Sequence, residues 1–203
     1  MLRHSGPRLI LASASASRRA LLAAAGLTFE VRPADVDEAV IKQEARAQGV
    51  DAEVAALGLA DAKAAAVARD EPDALVIGAD QILVCNGAWF DKPVDVAAAR
   101  AQLRTLRGHR HVLVTAVVCH HGAGRVWRDV ASPRLAMRDF SDEFLDCYLA
   151  AEGDAVVGSV GAYRVEGRGI QLFDAVEGEY SAVLGLPMLS LLGFLRRVRY
   201  IAM

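Results

Sequence analysis

The chain has 203 residues, of which 54% are hydrophobic and 24% are charged, and its formal net charge is −2. This size and composition provide enough apolar material to bury a core, in one large domain or two small lobes. The small net charge excludes a broad basic surface for nucleic acid, so any phosphate binding has to be local. No apolar run approaches the roughly 20 residues needed to cross a bilayer. The protein is therefore expected to be cytoplasmic, with neither a membrane nor a nucleic acid as partner.

The cysteines Cys85, Cys119 and Cys147 are odd in number and lack the spacing of a zinc site or a disulfide framework. They are predicted to be core thiols of a protein from a reducing compartment. His120 and His121 follow Cys119 directly, but neighbours on a strand point to opposite faces. This adjacency is therefore poor geometry for a shared metal.

The first half of the chain predicts alternating strands and helices. Short apolar runs favour strands, apolar positions on one face favour helices, and serine, aspartate or glycine marks the helix ends. The predicted elements are a strand at Leu9–Ala12, a helix capped by Ser17 or a nearby serine and ended by Gly26, a strand at Leu27–Arg32, a helix at Asp51–Arg69 and a strand at Ala74–Asp80. The acidic stretch ADVDEAV forms a loop or a helix entry between them.

The second half adds hairpins to this alternation. Asn86-Gly87 between two apolar runs predicts a tight hairpin. The other predicted elements are a helix from Asp95 to its stop at Gly108, a long antiparallel hairpin of HVLVTAVVCH with RVWRDVASPRLAM, a helix from Ser141, a loop-rich tract after Gly153 and a last helix after Pro187. Together these elements indicate a mixed α/β class without internal repeats.

A candidate anion site follows the first predicted strand. Backbone N–H groups at a helix start, small hydroxyls and arginine side chains together favour a phosphate ligand. The side chains belong to Ser13, Ser15, Ser17, Arg18 and Arg19. The stretch is neither a Walker A loop nor a G-x-G-x-x-G loop. Ordinary helix capping and a solvated arginine face account for the same residues, so both interpretations stay open.

Carboxylates form a second candidate group. Asp80 ends the apolar run ALVIGA, and a carboxylate there is costly to bury unless it is paired or bound to a metal. Asp35, Asp37 and Glu38 offer a second ligand for a hard cation such as Mg²⁺. An aspartate in a strand-end turn and an ordinary acidic surface loop are the alternatives.

Lysine is rare in this chain, and arginine is its usual cation. Lys63 and Lys92 are two of the few lysines, and a lysine supplies a compact point charge that suits phosphate. No G-x-S-x-G stretch is present, which disfavours a serine hydrolase of that type.

Several short motifs, in their order along Leu9–Pro187, resemble those of the Maf family of nucleoside triphosphate pyrophosphatases. The matching stretches are LILASASASRRALL, FEVRPADVDE, LADAKA, VIGADQILVCNGAWFDKP, AARAQLRTLRGH, VGAYRVEGRG and VEGEYSAVLGLP. The resemblance implies one domain over residues 1–203 with a mixed α/β sheet, two lobes around a nucleotide cleft and a fold like that of inosine triphosphate pyrophosphatases (Maf/Ham1).

The resemblance also implies hydrolysis of a nucleoside triphosphate to a monophosphate and pyrophosphate. A divalent cation is expected, Mg²⁺ first, with Mn²⁺ or Co²⁺ as alternatives. By position in the motifs, Asp80 matches the proton acceptor and, with Glu38, the metal ligands. The positions that match phosphate-binding residues are Ser13, Ser15, Arg18, Lys63 and Lys92.

Three positions bear on the choice of base, namely Ser17, Gln81 and Glu166. The pair Gln81 and Glu166 resembles the 7-methyl-GTP subtype, since the thymidine and uridine subtype has threonine and glutamine there. A carboxylate at Glu166 accepts hydrogen bonds from guanine N1–H and its amine, whereas the carbonyls of thymine or uracil would repel it. The chain departs from the family at Ala16, where proline is usual, and at Ser17, where the subtype often has tryptophan, so Trp89 is a candidate for the stacking ring.

Other interpretations stay open. The chain is alternatively a dTTP/UTP pyrophosphatase of the same family, or an inactive nucleotide-binding regulator of septum formation. SRRALLAAAGL superficially resembles a twin-arginine export signal, although its arginines follow an apolar run and no cleavage site is evident. Apolar positions of the last helix serve the core or a homodimer contact, the core being favoured; they are Leu189, Leu191, Leu192 and Leu195.

Overall fold

The computed structural model describes residues 6–202. In that range the helices are α1 (Ala16–Ala24), α2 (Glu38–Ala47), α3 (Ala52–Asp70), α4 (Val96–Leu106), α5 (Asp142–Glu152), α6 (Tyr180–Val183) and α7 (Met188–Arg197). The strands are β1 (Leu9–Leu11), β2 (Glu30–Val31), β3 (Leu75–Cys85), β4 (Ala88–Phe90), β5 (Arg110–His121), β6 (Gly124–Ala131), β7 (Arg134–Met137) and β8 (Phe173–Glu177). Short 3-10 helices cover Gly153–Gly158, Val160–Ala162 and Arg168–Leu172.

The strands pair in both directions, which confirms the predicted mixed α/β class. β1 is parallel to β2 and to β3, with Ile10 opposite Val76 in the latter pair. The pairs β3–β4, β5–β6, β5–β7 and β7–β8 are antiparallel. Parallel strands joined through helices and antiparallel hairpins therefore occur in the same chain.

The chain divides into two compact units. The first contains the residues up to Asp80, Thr115–Ala131 and the residues from Leu184 on, and the second contains Gln81–Val114 and Ser132–Val183. Two strands are divided between the units: the first part of β3, up to Asp80, and the last part of β5, from Thr115, belong to the first unit. The other part of each strand belongs to the second unit. The predicted nucleotide cleft and the single-domain description stay predictions.

Each unit has its own hydrophobic core. The core of the first unit is formed by residues of β1, α1, β3, β5 and α7, among them Leu11, Leu22, Ile77 and Leu191. The core of the second unit joins α4 and α5 to strands and to the 3-10 helices, and includes Leu103, Leu135 and Leu145. Burial of such side chains is the main force that stabilises each unit.

Four helices begin directly after a serine or aspartate that caps their first turn, as the sequence predicts. The side-chain oxygen of each cap accepts a hydrogen bond from a backbone N–H of the first turn, which otherwise has no partner. The caps are Ser15 for α1, Asp51 for α3, Asp95 for α4 and Ser141 for α5. The hairpin turn at Asn86-Gly87 is also confirmed, because both residues have positive φ and Cys85 pairs with Ala88 across it.

The predicted strand end at Asp80 is wrong, because β3 continues through this residue to Cys85. The segment after Gln81 is itself apolar, and Leu83 pairs with Phe90 of β4. The two polar side chains in mid-strand find partners, so they interrupt the hydrophobic pattern without ending the strand. The predicted strand at Leu27–Arg32 is shortened to β2.

Two further predictions need correction in the second half of the chain. The second arm of the long hairpin divides at Ser132-Pro133 into β6 and β7, since proline lacks the N–H that a continuous ladder needs. The sequence predicts a loop-rich tract after Gly153, and the structure adds three 3-10 helices, the first of which begins at Gly153, and the strand β8. No side chain of β8 is fully buried, and half-buried and exposed positions do not alternate regularly along it, which weakens its sequence signal.

The core predictions for cysteines and for the last helix hold in part. Cys85 and Cys119 are buried, whereas Cys147 is exposed because it lies on the face of α5 opposite the buried Leu145 and Leu149. In α7, Leu191 and Leu195 are buried and Leu192 packs against the same core, but Leu189 is 73% exposed. No helix in residues 6–202 is long and apolar enough to cross a membrane.

Candidate functional site

The serine-rich turn lies at the carboxyl end of β1. β1 runs parallel to the first residues of β3 and ends at Leu11, opposite Ile77. Ala12 N donates to Ile77 O at 2.8 Å there, while β3 continues through Asp80. Ser13 follows immediately and is buried. This edge of parallel strands is where open α/β sheets usually bind ligands.

Hydrogen bonds hold the turn in one conformation. Ser13 Oγ accepts from Ser15 N at 3.3 Å and from Arg18 Nη1 at 3.0 Å. Ser15 caps α1 and accepts from Arg18 N at 3.4 Å. Ser17 lies in the first turn of the helix and is half-buried, and Arg19 is exposed. The interpretation as a helix cap is confirmed for Ser15, and the anion site stays a prediction.

Arg18 is buried, with 9% of the residue exposed. Besides Ser13 it bonds two backbone carbonyls, through Nε to Gly185 O at 3.0 Å and through Nη1 to Ala79 O at 2.9 Å. Burial lowers the pKa of Arg18, and the negative charges of Asp80 and Glu38 oppose this shift. The guanidinium therefore fixes the backbone beside Asp80 while it carries a positive charge into the interior of the first unit.

Lys63 connects the two predicted metal ligands. Its Nζ lies 2.6 Å from Asp80 Oδ1 and 2.8 Å from Glu38 Oε1. The side chains of Lys63 and Asp80 are 9% and 5% exposed, whereas that of Glu38 is 46% exposed. Glu38 is the first residue of α2, whose cap is Asp37. The structure thus brings together Lys63, Asp80 and Glu38, and uses Asp37 as a helix cap.

A glycine in β3 allows this arrangement. A Cβ atom at Gly78 would lie 2.1 Å from Ala60 O and 2.8 Å from Ala64 N, so the backbone of α3 packs directly on the strand. Gly78 and Asp80 share one face of β3 because side chains alternate along a strand. Lys63, three residues after Ala60, therefore reaches Asp80 across a very short gap.

The site has one unsatisfied buried acceptor. Asp80 Oδ2 is buried and has no hydrogen-bond partner among residues 6–202. No group of three or more His, Cys, Asp or Glu side chains in that range is arranged to hold a metal ion. The carboxylates of Asp80 and Glu38 nevertheless suit Mg²⁺, because this ion commonly binds one or two carboxylates together with water and substrate phosphates. Asp80 Oδ2 is the oxygen that lacks a hydrogen bond within residues 6–202.

Gln81 lies in the second unit, one residue beyond Asp80. Its Nε2 donates to Ala182 O at 3.0 Å and to Val183 O at 3.2 Å, at the end of α6. These two carbonyls engage the hydrogens of the side-chain amide. The other polar atom of this side chain is the acceptor Oε1.

The remaining predicted site residues also lie in the second unit. Glu166 precedes the last 3-10 helix, and its Oε1 lies 3.6 Å from Arg164 Nε. Lys92 is exposed in the loop between β4 and α4, and Trp89 is half-buried in β4. Their assignment to substrate binding stays a prediction.

Sequence reasoning missed Gly185 and Gly78 as parts of the site. Gly185 has a φ of +104°, which L side chains rarely adopt, and its carbonyl accepts from Arg18. The Gly-Leu-Pro segment after α6 signals a turn, but only the tertiary structure shows the partner of that carbonyl. Gly78 stands in the apolar run ALVIGAD, where a glycine indicates a close backbone approach.

Two histidines have buried polar contacts outside this group. His111 Nε2 lies 2.7 Å from Tyr163 Oη, and burial lowers the pKa of His111 to about 4. His120 Nε2 lies 2.9 Å from Asp61 Oδ1, whereas His121 is exposed, which confirms that these neighbours point to opposite sides. Each of the two buried histidines thus uses its Nε2 atom in one polar contact.

Comparison with known proteins agrees with the motifs. Residues 8–198 match the family model described as Maf-like protein. A nucleoside triphosphate pyrophosphatase of Granulibacter bethesdensis is 55% identical over 190 residues, covering 94% of this chain and 96% of that protein. One of Gluconobacter oxydans is 53% identical, with 96% of each chain covered, and a 7-methyl-GTP pyrophosphatase of Rhizobium meliloti is 48% identical, with 95% of this chain and 96% of that protein covered. The chain belongs to the Maf family.

Proposed function

We propose that this protein hydrolyses a nucleoside triphosphate between its α and β phosphates, releasing a nucleoside monophosphate and pyrophosphate. The observation that supports this most is the buried contact between Lys63 and Asp80, next to the serine turn at the carboxyl end of β1. The names of the similar proteins point to the same reaction.

The charges of four side chains in the first unit support the proposal that the reaction uses a divalent cation. Lys63 and Arg18 carry two positive charges, and Asp80 and Glu38 carry two negative charges, so these four side chains together are neutral. A triphosphate brings about four negative charges that have to be neutralised before water can reach the α phosphorus. Glu38 and Asp80 would hold a divalent cation, for which Mg²⁺ is the first choice and Mn²⁺ or Co²⁺ the alternatives.

Asp80 is the proposed proton acceptor. Its Oδ1 is fixed by Lys63, while the buried Oδ2 is available for a proton. The oxygen of a water molecule attacks the α phosphorus, its proton passes to Asp80, and the bond to the bridging oxygen breaks as pyrophosphate leaves. A bound divalent cation would lower the pKa of that water and stabilise the phosphate charge.

The remaining predicted phosphate-binding residues would bind and orient the triphosphate. Ser13, Ser15 and the backbone N–H groups at the start of α1 supply hydrogen-bond donors for phosphate oxygens. Arg18 holds this turn through its bonds to Ser13 and Ala79. Lys92 supplies a further positive charge for the phosphates.

The proposed substrates are guanine-type triphosphates, including 7-methyl-GTP. Gln81 donates its amide hydrogens to the carbonyls of Ala182 and Val183, its other polar atom Oε1 is an acceptor by chemistry, and Glu166 has a carboxylate. Guanine offers N1–H and an exocyclic amine to such acceptors, whereas uracil or thymine places carbonyls on either side of a single N–H. Ser17 cannot stack on a base, and Trp89 is the proposed ring for that contact.

A substrate panel tests this proposal. Initial rates of pyrophosphate release are measured with 7-methyl-GTP, GTP, dTTP and UTP at equal concentrations, with Mg²⁺ and with a chelator. We expect Mg²⁺-dependent release of equal amounts of monophosphate and pyrophosphate, fastest with the guanine nucleotides. A clear preference for dTTP or UTP contradicts the base assignment. Nucleotide binding without pyrophosphate release contradicts the enzyme and favours the inactive regulator of septum formation.

A further inference from the structure

A chain of charged side chains links the end of α5 to the loop that carries Glu166. Glu152, the last residue of α5, has a side chain that is only 5% exposed. Its Oε2 lies 3.9 Å from Arg164 Nη1, and its Oε1 lies 3.4 Å from Arg168 Nη1. Arg164 Nε lies 3.6 Å from Glu166 Oε1. Arg164 is therefore shared between a buried carboxylate and the carboxylate that we assign to base recognition.

The backbone around Arg164 is fixed, so the direction of its guanidinium depends on its charged neighbours. Gly167 N donates to Arg164 O at 3.1 Å and closes a tight turn. Val165 within this turn is buried in the core of the second unit. A Cβ atom at Gly169 would lie 2.4 Å from Arg164 O, so the chain packs on itself there. Glu152 then supplies a fixed negative charge on one side of the guanidinium.

We infer that Glu152 is a positioning residue for base recognition, which holds the guanidinium of Arg164 and thereby limits how strongly it engages the carboxylate of Glu166. This inference rests on the proposed function. When the charge of Glu152 is removed, Glu166 becomes the one charged partner left to Arg164 in this chain of contacts. The tighter pair that follows competes with the N–H donors of the base, because an oxygen engaged by a guanidinium is a weaker acceptor for another donor.

The variant Glu152→Gln tests this inference, since it keeps the shape of the side chain and removes its charge. We expect KM for GTP and 7-methyl-GTP to rise about fivefold, the effect of one solvent-accessible ion pair, while kcat and the KM for UTP stay unchanged. Arg168→Gln is the matched control, because Arg168 contacts Glu152 and the carbonyl of Ala151. It should leave the ratio of kcat/KM between GTP and UTP unchanged.

A double-mutant cycle with Arg164→Gln separates positioning from a general effect on folding. In the Arg164→Gln background, Glu152→Gln should have no further effect on the GTP to UTP ratio. The inference is overturned if Glu152→Gln leaves the GTP to UTP ratio of kcat/KM unchanged. It is also overturned if Glu152→Gln shifts this ratio equally in the wild-type protein and in the Arg164→Gln background. If Glu152→Gln does not fold, Glu152→Asp replaces it, because the shorter side chain keeps the charge but moves it away from Arg164. An unchanged GTP to UTP ratio in that variant overturns the inference as well.

The same measurements distinguish this inference from the proposed function. If the wild-type protein releases no pyrophosphate from any nucleotide, the proposed function fails. If the wild-type protein is active and the ratio does not move in the Glu152 variant, the role of Glu152 alone fails.

Discussion

The ammonium of Lys63 lies between two carboxylates of very different exposure, 2.6 Å from the buried Asp80 and 2.8 Å from the half-exposed Glu38. Removal of one partner therefore has unequal consequences. Without the Asp80 charge, Lys63 keeps a counter-charge in Glu38. Without Lys63, the buried carboxylate of Asp80 loses the hydrogen bond that Lys63 Nζ donates to its Oδ1.

Asp80→Asn should abolish turnover and leave the fold intact. The amide cannot accept a proton from water, and loss of a general base commonly lowers kcat by a factor of about 10² to 10⁴. Pyrophosphate release at saturating substrate and thermal unfolding are the two measurements. Asp61→Asn is the control, because Asp61 lies on α3 with Lys63 but pairs with His120 and Arg125. Full activity in Asp80→Asn would exclude the assigned role.

Lys63→Met should destabilise the protein by about 3 to 5 kcal/mol, the usual effect of leaving a buried charge without its partner. The free energy of unfolding in urea measures this change. In the double variant with Asp80→Asn, part of the stability should return, because the buried negative charge is then absent as well. If the single and the double variant lose the same free energy of unfolding, the unpaired charge of Asp80 is not the cause of the destabilisation.

Arg18→Met should lower the free energy of unfolding by about 3 kcal/mol, since the carbonyls of Ala79 and Gly185 lose a charged donor. Arg18→Lys should recover only part of this loss, because an ammonium cannot reproduce the planar fork of a guanidinium. The adjacent Arg19→Met is the matched control. Arg19 is exposed, and its replacement should change stability by less than about 0.5 kcal/mol. Similar losses at both positions would contradict the contacts described for Arg18.

The stability of the protein should fall as the pH is lowered through the range in which His111 titrates. Burial lowers the pKa of His111 from 6.5 to about 4, so the unfolded chain binds more protons between these values. This contribution is complete above pH 6.5, decreases as the pH falls toward 4, and amounts to about 3 kcal/mol.

Urea unfolding at several pH values measures this slope. His111→Phe should flatten the slope between pH 4 and 6.5, whereas His121→Gln, at an exposed position, should leave it unchanged. A slope that persists in His111→Phe would assign the pH dependence to other groups.

Local features of the chain determine the class and most helix ends. Ser15, Asp51, Asp95 and Ser141 act as caps within three residues of the N–H groups that they bind, so the sequence alone predicts them. Asn86-Gly87 defines a hairpin for the same reason, because both residues accept the positive φ of its turn. The ordered motifs predicted the Maf family, which the comparisons confirm.

Contacts between distant residues were decided by the tertiary structure. The acidic residue Asp80 suggested a strand end, yet β3 continues because Lys63 of α3 compensates the buried charge. The sequence leaves Arg18 open between a phosphate-binding residue and a solvated arginine face, but the structure buries it against Gly185, 167 residues away. Local patterns report what a residue does to its own helix or strand, whereas the partner of a buried charge depends on how elements far apart in sequence pack together. The sequence by itself therefore determined the fold class, the caps and the family, and the tertiary structure decided which charges are paired and buried.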